Sequence, residues 1–150
     1  MEIQQIRKIY SEAANDSTKA DWLYQHLKGI KPPQSAILLA YLAASEALQA
    51  RNSFFPFTKL SMIQQAQETF SKAVKLDKED VEIRFLRFTI EVNIPVFLGL
   101  TTHIEEDKLL IISNLNESPL DFTMKKAIAD FLLSSGYCSP VESQFLKTFL

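Results

Sequence analysis

The chain has 150 residues, 47% of them apolar and 23% charged, with a formal charge of −2, a balance ordinary for folded proteins that excludes the low-hydrophobicity, high-charge class of disordered chains. Lysine and arginine are dispersed and slightly outnumbered by acids, 16 against 18, so the long-range positive field that draws proteins to nucleic acid is missing and nucleic-acid binding is not expected. Neither a secretory leader at MEIQQIRKIY nor an apolar run of about 18 residues is visible, and the lone cysteine, Cys138, cannot pair within the chain; these features fit a cytoplasmic protein, and the length fits one domain over residues 1–150.

Three glycines and few alternating Val, Ile and Thr runs leave little for hairpins, while Ala, Leu, Gln, Glu and Lys recur at three- and four-residue spacing. This predicts an all-α chain, an antiparallel bundle of about seven to eight helices. The first helix runs from Glu2 to about Ala14 with Ile3, Ile6 and Tyr10 on one face; the polar group at 15–18 then supplies a break and an N-cap. A second continues to about Lys28, ended by Gly29 with Pro32 and Pro33. The third, QSAILLAYLAASEALQAR, is rich in alanine and apolar around most of its circumference, the pattern of a central, closely packed helix. NSFFPFTKL reads as a Pro-interrupted aromatic connector, and a fourth helix follows from about Lys59 to Leu76 with Met62, Ala66, Phe70 and Ala73 inward.

The fifth helix, about Glu79 to Val92, carries two apolar stripes and a third of Arg84, Arg87 and Glu91. Burial on two sides is implied. After NIPVFLGL a sixth helix opens near Thr102 with Glu105, Glu106 and Asp107 in its first turn, where the helix dipole favours carboxylates. A seventh follows Pro119. An eighth begins at SPVESQF, where Ser139, Pro140 and Glu142 make a capping box.

Around the fourth helix, roughly residues 36–93, the spacing resembles a tetratricopeptide repeat: Ala66, Phe70 and Ala73 stand where that family carries a small residue, an aromatic and an alanine, and Leu76 and Asp77 begin its characteristic turn. Leu42 and Ala43 take the place of the family's Leu-Gly pair. Lys78 stands where the family prefers proline, the connector between the paired helices is roughly ten residues longer than usual, and no second copy follows. The resemblance implies a helix-turn-helix centre in a compact bundle, with the first helix of each pair facing a partner. Arg84, Arg87, Phe88 and Glu91 are then the contact residues.

Catalytic constellations are not found: the glycines are isolated, and no GxSxG or paired-cysteine motif is present. No enzyme activity, cofactor or metal is expected. His103 with Glu106 and Asp107 has helical spacing suited to a metal, but His26 is the only other histidine, and a capped helix start with exposed acids is the plainer reading. Cys138 reads as an inert turn residue. Two enclosed arginines, Arg84 and Arg87, need acceptors; Glu91, Glu105, Glu106 and Asp107 are the internal candidates, and a ligand carboxylate or phosphate is the external one.

The apolar connectors at 54–57 and 94–100 are expected to fold under the helices and close the core; otherwise Phe54, Phe55, Phe57, Phe97 and Leu98 are contacts for a partner or apolar ligand. The ending SQFLKTFL docks at home or pairs with another subunit, so a homodimer is compatible with the sequence. The expected function is a non-enzymatic protein-protein interaction module, a scaffold or adaptor with a repeat-like groove. The alternative is a helical carrier of a small molecule or lipid, with an apolar cavity bordered by the two connectors.

Overall fold

Helix ends in this chain are set by local chemistry. In the computed structural model, which describes residues 2–31 and 35–150, eight α-helices and no strand are found among the described residues. They are α1 (Ile3–Ala13), α2 (Ser17–Lys28), α3 (Ala36–Asn52), α4 (Pro56–Leu76), α5 (Val81–Glu91), α6 (Ile104–Asn114), α7 (Phe122–Ser134) and α8 (Pro140–Lys147). Asp16, Ser35, Asp80, Asp121 and Ser139 each accept a backbone N–H of the first turn that follows. Ser139 and Glu142 form the expected capping box. Pro32 and Pro33, expected to help end α2, lie outside the described residues.

The helices group into two compact units, Met1–Lys78 and Glu79–Leu150. The boundary falls in the polar turn that joins α4 to α5. In unit 1, α3 packs against α1, α2 and α4. Its alanines make this possible: Ala40, Ala43, Ala44 and Ala50 are buried, and small side chains let neighbouring backbones approach. Ala66, Phe70 and Ala73 of α4 are buried as the spacing predicts. Tyr10 meets Tyr41 edge to face at 5.6 Å, and burial pushes the Tyr10 hydroxyl up to about 12.

Two expectations about the connectors are corrected. Only residues 53–55 separate α3 from α4, because Pro56 occupies the first helical position, where its fixed φ and missing N–H cost nothing, and so starts the helix that the sequence reading delays to Lys59. Nor do the apolar connectors close the core as expected: Ile94 is buried, but the rest of their large side chains are not. Phe54, Phe55, Phe57, Val96, Phe97 and Leu98 are all exposed. Pro56 places Phe57 in an outward-facing first turn, and a short 3-10 turn at Val96–Leu98 ends on Gly99 at φ 70°, a left-handed conformation that favours glycine.

Unit 2 has a continuous core. Val81 and Phe88 of α5, Ile104 and Ile111 of α6, Ile128 and Leu132 of α7 and Leu146 of α8 meet there. Phe149 is buried in it and Phe145 packs against it, so the C-terminal apolar residues dock at home, with Leu150 exposed.

One buried charge in unit 1 has no such fit. Glu46 on α3 is only 4% exposed, and its Oε1 has no hydrogen-bond partner among the described residues. Burial raises its pKa; Thr69 and Gln65 of α4 and the charge of Lys72 oppose the rise without cancelling it. The folded state therefore holds this proton more tightly than the unfolded chain. Stability from that proton is complete below the unfolded glutamate pKa and is lost as pH rises through the folded value. Glu46→Gln, which removes the charge and keeps the shape, is expected to stabilise the protein at pH 7 to 8 by about 1 kcal/mol, with the gain fading towards pH 4. Urea titrations across that range check it, and a pH-independent difference is the contrary result.

Candidate functional site

The ordered charges of unit 2 converge where α5 faces the start of α6. Arg84 and Arg87 lie one turn apart on α5, on the side that meets Glu106 and Asp107 in the first turn of α6. Asp107 is fully buried, and its carboxylate accepts from both arginines: Arg87 Nε donates to Oδ2 at 2.8 Å, Arg87 Nη2 to Oδ1 at 2.8 Å and Arg84 Nη1 to Oδ1 at 3.0 Å. The Arg87 pair is the two-pronged contact that a planar guanidinium suits and a lysine cannot copy. Glu106, whose side chain is largely exposed, accepts from Arg84 Nη1 at 2.7 Å and from Arg87 Nη2 at 3.1 Å.

The electrostatics follow from this arrangement. Burial disfavours the charged form of Arg87, but the bonds and charge of Asp107 outweigh it and the pKa lies above the usual value. Partial burial pushes the Glu106 carboxyl up; the bond and charge of Arg84, with the charge of Arg87, bring it below the usual range.

Two further pairs extend the cluster. His103 closes the base of the α5–α6 connector: its backbone N–H donates to Glu91 Oε1 at 2.9 Å, and its Nδ1 lies 2.8 Å from Glu91 Oε2. Glu91 is itself buried. On the other side of α6, Lys108 Nζ donates to the Tyr137 carbonyl at 2.9 Å and pairs with Glu105 at 2.9 Å and Glu142 at 3.0 Å. Burial disfavours the Lys108 charge, the two glutamates overcome this, and its pKa lies above the ordinary value.

The four residues expected to line a partner-facing groove are thus interior. Arg84, Arg87 and Glu91 are buried among their internal partners, and Phe88 is fully buried, edge to face with Phe131 and Tyr137. The physical reason is the acidic first turn of α6, which supplies two carboxylates where the α5 arginines need them. Of the four internal acceptors expected, Glu106 and Asp107 serve the arginines, Glu91 serves His103 and Glu105 serves Lys108. The sequence reading missed Lys108 as a buried cation and Glu142 as its partner. Glu142 is legible only as a helix cap, because its second role joins residues 34 positions apart through the fold.

His103, Glu106 and Asp107, weighed as a metal site, direct their polar atoms at Glu91 and the arginines, and among the described residues no group of three or more His, Cys, Asp and Glu is placed to hold a metal ion. His26 stacks on Trp22 at 5.0 Å. Cys138 donates its Sγ–H to the Leu132 carbonyl at 3.3 Å, and burial pushes the thiol up, away from the reactive thiolate. A cavity of about 190 Å³ in unit 2 is lined by residues 79–82 of the α5 start and by Asn114 and residues 117–120, polar and apolar together, and neither apolar connector borders it. No helix among the described residues is long and apolar enough to cross a membrane. Comparison with protein-family models, curated proteins and solved structures returned no match to this chain.

The pairing makes two measurable demands. Asp107→Ala removes the buried carboxylate that both guanidinia share, keeps their bonds to the exposed Glu106, and is expected to lower the unfolding free energy by about 3 kcal/mol; a loss under about 1 kcal/mol in urea titration contradicts the pairing. Glu142 is held below its ordinary value of 4.5 by the Ser139 backbone bond and by Lys108. Such a group binds fewer protons folded than unfolded, so its contribution is full above the ordinary value and is lost as pH falls through the folded one. Glu142→Gln keeps the cap and removes the charge, and its stability is expected to fall less steeply than wild type between pH 5 and 3.

Proposed function

We propose that this chain is a non-enzymatic protein-protein interaction module of the scaffold or adaptor kind, and that the contact it offers from unit 2 is the apolar turn at Val96–Leu98. The observation that carries the reading is the exposure of that turn: Phe97 is 87% and Val96 69% exposed, on a connector whose base is closed by Glu91 and His103. Exposed aromatic side chains on an ordered support are the usual anchors of protein interfaces. Glu91 and His103 hold the two ends of the connector, and Arg84 and Arg87 tie α5 to α6 beneath it. In this reading the two arginines position the contact and do not make it, and little ordering cost remains at binding.

The resemblance to a tetratricopeptide repeat, carried by Ala66, Phe70 and Ala73, points to the same class; these three residues are buried on α4. The lone Cys138 fits a reducing compartment and hence a cytoplasmic setting. The cavity in unit 2 lies away from both connectors, so it lends no support to a carrier of an apolar ligand that they would border.

Cross-linked pulldown from native lysate, comparing wild type with a Val96→Ser, Phe97→Ser double variant, tests the reading. These residues are exposed, so the variant should fold with unchanged circular dichroism and melting temperature. Losing one aromatic anchor of about 2 kcal/mol should cut enrichment of a specific partner roughly thirtyfold. Equal capture by the folded variant, or no specific partner at all, refutes it.

A further inference from the structure

The α3–α4 hairpin of unit 1 ends in a second apolar tip of a different chemistry. Phe54 is 94%, Phe55 70% and Phe57 89% exposed, within four consecutive residues that also include Pro56. The tip is held in place from both sides: Ser53 N–H donates to the Ala50 carbonyl, Phe55 N–H to Ser53 Oγ, and Pro56 starts α4. Three phenylalanines on an ordered turn, almost without neighbours in their own chain, form the kind of exposed apolar patch that marks an interaction surface.

Charge distinguishes this tip from the turn in unit 2. Arg51 and Lys59 flank the phenylalanines, and residues 47–67 contain no Asp or Glu. Arg51 Nη2 donates to the Ala14 carbonyl at 2.5 Å and Lys59 Nζ to the Arg51 carbonyl at 3.2 Å, so both cations are anchored by neutral groups, and among the described residues neither is in an ion pair. The acids nearest Arg51 make other contacts, Asp21 among them, which accepts from Gln49 Nε2 at 3.1 Å. Asp16 caps α2 through Thr18 and Lys19 N–H, and Glu12 pairs with Lys19.

We propose that the 54–57 tip docks on a lipid bilayer bearing anionic headgroups, with the phenyl rings in the boundary between headgroups and acyl chains and with Arg51 and Lys59 at the level of the phosphates. Large apolar side chains beside cations are the composition of interfacial membrane contacts. A bilayer with anionic headgroups is favoured over a folded protein as occupant, because the tip places apolar rings beside two cations that are in no ion pair among the described residues, and such headgroups over an acyl interior complement both features at once. Three rings with two cations give a reversible contact that falls with salt. The proposal does not rest on the function proposed for unit 2, whose turn at Val96–Leu98 carries no adjacent cation.

The test is flotation of the full chain with vesicles of phosphatidylcholine alone or with 30% phosphatidylserine, at low and physiological salt. Wild type is expected to partition onto the anionic vesicles at least fivefold better than onto the neutral ones, with binding weakened by salt. Phe54→Ser, Phe57→Ser should lose at least tenfold of the partition coefficient, and Lys59→Gln about fivefold, both with unchanged melting temperature. Equal binding to the two vesicle types, or retention of wild-type binding by the phenylalanine double variant, overturns the proposal. So does an absence of vesicle binding accompanied by concentration-dependent dimers in sedimentation that the same variant abolishes, since the occupant is then a second copy of the chain.

Discussion

Unit 2 is organised around one buried carboxylate. Asp107 accepts from two guanidinia that are themselves out of solvent, and each member of that trio is tolerable inside the protein only because the others are there. Buried ion pairs add little net stability over an apolar packing of equal volume, yet removing one member is costly, so their effect is to select a geometry. Rotating α5 away from α6 strands both arginines. The orientation that remains also turns Phe88 into the core against Phe131 and Tyr137.

From that orientation the rest of the charged surface follows in sequence. With Asp107 and Glu106 committed to the arginines, Glu91 is left to His103 and closes the connector, while Lys108, on the opposite side of α6, meets Glu105 and the capping residue Glu142. Glu142 joins the N-terminus of α8 to the buried cation of α6, and so links cap chemistry to tertiary packing. Unit 1 is built differently. Its central helix is packed through alanines, and the buried acid Glu46 has an oxygen without a partner among the described residues, so charge there works against the packing that the alanines allow.

Much of the architecture is legible in the sequence because it rests on local rules. The caps at Asp16 and Ser139, the alanine-rich α3 and the inward face of α4 all follow from spacing and hydrogen-bonding chemistry within a few residues, whereas the cap at Asp80 lies inside the helix that the spacing starts at about Glu79. Pro56 is ambiguous for an equally local reason. A proline between phenylalanines reads as an interruption, and only the position of the helix start shows that it opens α4. The two apolar connectors are less legible. Whether a phenylalanine in a short loop turns inward or outward depends on the room left by helices distant in sequence.

An all-helical chain of about seven to eight helices with enclosed arginines on α5 is written in the residues themselves, because helical periodicity, capping and the cost of burying charge are properties of short segments. Tertiary structure alone decided which acids serve which cations, and that Phe54, Phe57 and Phe97 face outward. Four acids lie within reach of the arginines by any sequence count, and only the packing of α6 on α5 separates Asp107 and Glu106, which take the guanidinia, from Glu91 and Glu105, which go to His103 and Lys108.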